Sequence, residues 1–194
     1  MSKIADKRAA ILSAALDIFA ENGFHGSPTS LISEKAGVGT GTIYRYFQSK
    51  DDLIRELHLE LDGKLQAAIF ADYREEVPLR QRFDNLYENL LRYFIDNPRE
   101  CRFLEQFYNS PYGIAKRRAR KENPGEKEAC FARLFDEARQ RQAFKDLPEE
   151  MLVSLSIGPM LYAVRDHLAG LVAIEDRMVP LIVEACWDAV ARRD

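Results

Sequence analysis

Residues 27–50 read SPTSLISEKAGVGTGTIYRYFQSK, and the reading of this stretch decides the fold. Ser27 is a natural N-cap, and Pro28 stands at a first helical position, where a missing N–H costs nothing. The stretch therefore predicts a helix from Pro28 to about Ala36, closed by Gly37 in a left-handed conformation. Val38 is expected to turn inward. A second helix opens at Gly39 or Thr40 and runs through GTGTIYRYF, anchored by Ile43 and Phe47 at i,i+4 spacing. It is too short and too polar to exist for the sake of a core. Its remaining side chains, Thr40, Thr42, Tyr44, Arg45 and Tyr46, are hydroxyls, phenols and a guanidinium. Those donors suit phosphate oxygens and base edges. Gly41 lets the helix backbone come close to whatever it docks against. Two short helices of this kind read as a helix-turn-helix that binds DNA.

A helix ending in AGV, then GTGTIYRYF, then SKDDL opening a long helix, resembles the DNA-binding head of TetR-family transcriptional regulators over roughly Ala9 to Leu57. The resemblance implies an all-α protein with a three-helix N-terminal head, residues 1–50, and a larger helical domain, residues 51–194. It further implies a homodimer that binds a near-palindromic operator and a small effector whose binding releases the DNA, with repression the expected sign. On the head, Thr29, Ser30, Thr40, Gly41, Thr42, Tyr44, Arg45, Tyr46 and Lys50 are the expected DNA contacts. Thr42, Tyr44, Tyr46 and Lys50 are assigned mainly to phosphates, and Ser30, Thr40, Gly41 and Arg45 to the neighbourhood of the bases.

Composition agrees with a soluble regulator. At 46% apolar and 30% charged, the 194 residues are ordinary for a globular protein large enough to bury a core. The nearly apolar run Met151 to Val164 falls short of a membrane span and contains Ser154, Ser156 and Pro159. Ile11 to Leu16 is too brief for a signal peptide, and Asp17 and Glu21 follow at once. A cytoplasmic protein is expected. Cys101, Cys130 and Cys186 are odd in number and far apart, so neither a disulfide framework nor a zinc site is indicated, and all three read as small buried hydrophobes. The net charge of −3 is uneven: residues 1–50 hold six basic and four acidic side chains, the rest 22 and 27. A basic head on an acidic body fits DNA binding at one end.

Beyond the head the pattern is helical throughout, with no strand signal. A first helix from about Ile4 to Asn22 carries the stripe Ile11, Ala15, Ile18 and Phe19 and ends at Gly23. Ser49 with Asp52 forms a capping-box-like start for a helix to about Asp72, with Leu53, Leu57, Leu61 and Leu65 on one face. Further helices are predicted at Leu79–Asp96, Arg99–Tyr108, Pro124–Gln142, Pro148–Ala169 and Ile174–Ala191, punctuated by Pro98, Pro111, Pro148 and Gly170. Pro159 is expected to kink the penultimate helix or break a backbone bond there.

The body is rich in rings that serve either as core or as the wall of a largely apolar pocket. A small, partly hydrophobic effector is expected among Phe83, Tyr87, Phe103, Phe107, Phe131, Met160 and Tyr162, with His167 as a polar handle or a surface group. By the resemblance, the last two helices form the dimer seam, for which Leu161, Val164, Leu168, Leu171, Val183, Trp187 and Val190 are candidates, each with a core role as the alternative. The run KRRARK, Lys116 to Lys121, is either a solvated face or a site for an anionic partner. An enzyme is not expected: GxSxG, HExxH, Walker-type and dinucleotide fingerprints are all missing, and no cofactor or metal is called for. A helical module that binds protein through its head is the remaining alternative.

Overall fold

The computed structural model describes residues 3–122 and 126–192, and among them every regular element is a helix. In chain order these are α1 (Lys3–Asn22), α2 (Thr29–Lys35), α3 (Thr40–Tyr46), α4 (Lys50–Ile69) and α5 (Leu79–Asp96). They are followed by α6 (Pro98–Tyr108), α7 (Pro111–Glu122), α8 (Glu126–Gln140), α9 (Glu149–Leu168) and α10 (Val179–Val190), the last preceded by a short 3-10 turn at Asp176–Met178. The chain divides into two compact units. The first holds residues up to Lys64 together with Asn97–Ala119; the second holds Leu65–Asp96 and the chain from Arg120 onward. The head thus recruits α6 and most of α7, which the sequence reading assigns to the body.

In the first unit α1 packs on α2 and α6, and α2 packs on α3. Ile11, Ala15, Ile18 and Phe19 are buried as their spacing predicts, and so are Ile32, Ile43, Phe47 and the Leu53, Leu57, Leu61 row. Phe24 lies edge-on to Phe19, Phe103 and Tyr112, so a ring cluster joins α1 to α6 and α7. Polar ties lie over it: Gln106 Nε2 donates to the Phe19 carbonyl at 3.0 Å, and Asp17 pairs with both Lys35 on α2 and Arg99 on α6. Burial alone would raise the Asp17 carboxyl, but those two cations hold it below its ordinary value.

In the second unit α10 packs on α9 and α5, and α5 packs on α8 and α9. Phe83 stacks on Tyr87 with ring centres 3.8 Å apart, and Phe144 and Trp187 meet Phe83 edge-on. Phe135 closes the cluster between Phe131 and Phe144. The buried Tyr87 hydroxyl donates to Ser156 Oγ at 2.5 Å, and that hydroxyl in turn donates to the Leu152 carbonyl at 2.8 Å. Burial pushes the Tyr87 phenol well above its ordinary value, so it is held as a neutral donor.

Several boundaries differ from expectation, each for a local reason. Pro28 is the N-cap of α2 with φ −65° and ψ 148°, and Ser27 is not. The Ser27 hydroxyl instead donates backward, to the carbonyls of Ile18 and Gly23 at the end of α1. The stretch after Pro111, where the sequence predicts no separate helix, forms α7; an added Cβ at Gly113 would lie 2.4 Å from the Phe107 carbonyl oxygen, so the helix start is pressed against the end of α6. The expected helix start at Pro124 and the side chains of Cys130, Arg120 and Lys121 lie outside the described residues. Cys101 and Cys186 are buried free thiols, as expected, and burial raises the Cys186 thiol to about 11. α9 stays one helix through Pro159.

Candidate nucleic-acid interface

The helix pair is built by its turn. Gly37 takes φ +64°, the left-handed conformation glycine adopts without strain, and the Val38 N–H reaches the Ser33 carbonyl at 3.0 Å. α3 then starts from Gly39 in an extended conformation and ends at Phe47. Ile43 and Phe47 plug the buried side of α3 while Thr40, Gly41, Tyr44 and Arg45 lie exposed, and Thr42 and Tyr46 are half-buried. Tyr44 is 51% exposed, a large ring left in water by a protein that has core to offer elsewhere.

Two hydroxyl contacts lock α3 onto α2. Ser33 Oγ lies 2.9 Å from Thr40 Oγ1, and it also donates to the Ser30 carbonyl at 2.8 Å, so Thr40 must supply the hydrogen between the two hydroxyls. Thr29 Oγ1 lies 3.2 Å from the Tyr44 hydroxyl. Ser33, buried and absent from the expected site, is therefore what aims Thr40. A buried serine at i+3 from Ser30 was the available signal, masked because serine is ordinary in a short helix.

Behind the pair, α4 begins with a reciprocal cap: the Asp52 N–H donates to Ser49 Oγ at 3.1 Å, and the Gln48 N–H donates to the Asp52 carboxylate at 3.0 Å. Lys50 sits at this junction, and its ammonium donates to the Phe24 carbonyl at 2.5 Å. Burial lowers its pKa, with Asp51 and Tyr44 opposing. Arg8 pairs with Glu56 at 2.7 Å and lies over the Phe47 ring, bracing α1 against the end of α3. Thr29, Ser30 and the α3 residues are thus brought together on one pair of helices. Lys50 lies behind them with its charge already engaged.

The residues expected to line an effector pocket divide between the two units. Phe103 and Phe107 belong to the first unit, where Phe107 stacks on the buried His58 ring at 3.7 Å. Phe83, Tyr87 and Met160 are buried in the packing of the second unit, whereas Tyr162 is 66% exposed with Arg165 over its ring. The His167 ring accepts the Ile174 N–H at 3.2 Å, which commits it to the turn after α9. Among the expected seam residues, Val164, Val183 and Val190 are buried within the subunit, and Trp187 is held by Phe83, Phe144 and Arg80. The exposed apolar side chains there are Met151, Leu155 and Tyr162 on α9 and Leu181 on α10, with Leu171, itself one of the expected seam residues, between them.

Residues 11–57 match the family model described as "Bacterial regulatory proteins, tetR family", and residues 78–191 match "Tetracyclin repressor-like, C-terminal domain". The sequence is 38% identical over 72 residues to the fatty acid metabolism regulator protein of Bacillus subtilis (strain 168), a match that spans 37% of either chain. It is 22% identical over 185 residues, 94% of each chain, to an uncharacterized HTH-type transcriptional regulator of Haemophilus influenzae. A TetR family transcription regulator from Marinobacter aquaeolei VT8 superposes with a TM-score of 0.85 at 25% identity, over 97% of both chains.

Proposed function

The chain belongs to the TetR family of transcriptional regulators, and on that premise we propose that it is a cytoplasmic homodimeric repressor released from a near-palindromic operator by a small molecule. In functional terms residues 1–50 carry the DNA contacts, and residues 51–194 carry effector binding and dimerisation. The observation that supports this most is the exposed polar face of α3, set by Ile43 and Phe47 behind it and by Ser33 beside it. Two copies of α3 enter successive major grooves, about 34–36 Å apart centre to centre. Ser30, Thr40, Gly41 and Arg45 lie nearest the bases; Thr42, Tyr44 and Tyr46 hold phosphates with Thr29 beside Tyr44, and Lys50, its ammonium held at the Phe24 carbonyl, adds positive charge from behind.

The dimer seam follows from what α9 and α10 leave exposed. Met151, Leu155 and Tyr162 recur on one helical face, and Leu181, 62% exposed, begins α10, which packs against α9. An apolar stripe of that kind is covered by a second copy. The burial of Phe83 and Tyr87 supports a core role for those two rings, so the effector site is sought elsewhere in the second unit. No catalytic role is proposed. Selection of bound duplexes from a random pool tests the reading: it predicts enrichment of a near-palindrome with two like half-sites, and enrichment of no sequence, or of a single half-site, overturns it.

A further inference from the structure

One hydroxyl on α3 has its polarity set by its neighbours. Thr40 opens α3 and is exposed, between Gly39 and Gly41, which carry no side chain to screen it. Its Oγ1 lies 2.9 Å from Ser33 Oγ. Ser33 is 5% exposed, so its hydroxyl depends on protein partners. A hydroxyl has one hydrogen to donate and two lone pairs to accept with, and Ser33 commits its hydrogen to the Ser30 carbonyl at 2.8 Å. The carbonyl can only accept, so the hydrogen between the two hydroxyls is that of Thr40. Thr40 Oγ1 makes no other hydrogen bond among the described residues. Its hydrogen is turned inward, and lone pairs alone are left for a partner.

An unconstrained threonine hydroxyl meets donors and acceptors alike and so tells bases apart poorly. With the hydrogen committed, that ambivalence is gone. In the major groove adenine N6 and cytosine N4 are amino donors, whereas guanine shows O6 and N7 acceptors and thymine an O4 acceptor and a methyl group. Against guanine or thymine, Thr40 could bond only by turning its hydrogen outward, which takes a hydrogen bond from the buried Ser33 oxygen. Every base pair holds one amino base, so the distinction drawn is between strands: A·T from T·A, and C·G from G·C.

We propose that Ser33 makes Thr40 an obligate acceptor, which selects adenine or cytosine over guanine or thymine at one position of each operator half-site. The inference rests on the DNA-reading assignment of α3 above and adds the polarity of the contact. Ser33 is in this sense a positioning residue. Arg45, which carries only donors, takes its preference independently of Ser33.

Selection of bound duplexes from a random pool by the wild type, Thr40→Val and Ser33→Ala tests the assignment. Thr40→Val removes the hydroxyl at nearly constant shape and identifies the position, since one place in each half-site is expected to lose its preference. In the wild type that place is expected to hold A or C on one strand about tenfold over G or T. Ser33→Ala, with folding checked by circular dichroism, lets the Thr40 hydrogen turn outward. G and T should then come within about twofold of A and C at that place, while the other positions keep their order. A merely structural Ser33 would weaken all sequences alike. A second measurement needs no change at Ser33: purine in place of the selected adenine, or pyrimidinone in place of cytosine, deletes the amino group. That deletion is expected to weaken wild-type binding about fivefold and Thr40→Val binding by less than about twofold. A wild-type preference for G or T at the Thr40 position, a Thr40→Val protein that alters no position, a Ser33→Ala protein that keeps the amino preference, or wild-type indifference to the missing amino group overturns the polarity and leaves DNA reading in place. Enrichment of no sequence by the wild type overturns DNA reading, and the polarity with it.

Discussion

Gly41→Ala separates what α3 needs from what DNA needs. An alanine Cβ at position 41 would meet no atom within 4 Å, and the residue is exposed without positive φ. The protein itself gives no reason for glycine there. In a helix interior glycine is worth about 1 kcal/mol less than alanine, so the substitution should stabilise the chain by up to about that amount. For a protein of this length that gain is a rise of about 2–4 °C in Tm. If the α3 backbone approaches DNA at Gly41, the added methyl occupies the space of the partner and should weaken operator binding at least tenfold, about 1.4 kcal/mol. Differential scanning fluorimetry and fluorescence anisotropy with the selected operator read the two effects. Gly63→Ala is the control: it lies exposed in α4, its Cβ likewise meets nothing within 4 Å, and it should raise Tm while leaving operator affinity unchanged. A Gly41→Ala protein that is more stable and binds its operator as tightly as before would refute the close approach of α3.

Three further outcomes follow from the geometry. Burial, with Lys116 adding and Asp62 opposing, lowers the His58 imidazole from 6.5 to about 4, so His58 folds neutral. A depressed histidine pKa contributes stability that is fully present above 6.5 and lost as pH falls toward 4, a decline on the order of 3 kcal/mol that His58→Gln should flatten in urea titrations across that window. Leu181→Glu should give folded monomers by light scattering, because the seam proposed above includes this exposed side chain, whereas Val183→Asp should unfold the subunit by placing a charge in its core. Lys50→Ala removes the ammonium from the Phe24 carbonyl and should cost about 1–2 kcal/mol of stability while weakening all DNA sequences alike; an altered order of operator preference would contradict its placement behind the reading face.

The reading head was legible in the sequence because its signals are local. Gly23 and Gly37 end helices in the left-handed conformation, Ser49 and Asp52 cap α4 reciprocally, and Ile43 and Phe47 point inward at i,i+4. Leu79–Asp96 is also as predicted, since its apolar stripe is dense and Pro78 and Asn97 bound it. What the sequence hid depends on tertiary partners. Ser27 has the chemistry of an N-cap, but the end of α1 lies within reach and takes its hydroxyl. The α6 residues Phe103 and Phe107 read as body because they follow α5; only packing against Phe19 and His58 assigns them to the head. Periodicity in α10 is equally silent on which apolar face meets its own subunit, so Val183 and Val190 read as seam when they are core. The pairing of Arg82 on α5 with Glu137 on α8 has no sequence signature at all.

The central claim, that α2 and α3 form a DNA reader, is tested most directly by equilibrium binding of the selected operator to the wild type and to Arg45→Ala over a series of salt concentrations. Log affinity of the wild type should fall linearly with log salt as phosphate counterions are released. Arg45→Ala should lose about 1–3 kcal/mol on the operator, with a smaller loss on unrelated duplex, so that sequence preference narrows. Salt-independent binding, or an Arg45→Ala protein that keeps both its affinity and its preference, would contradict the assignment of this helix pair to DNA.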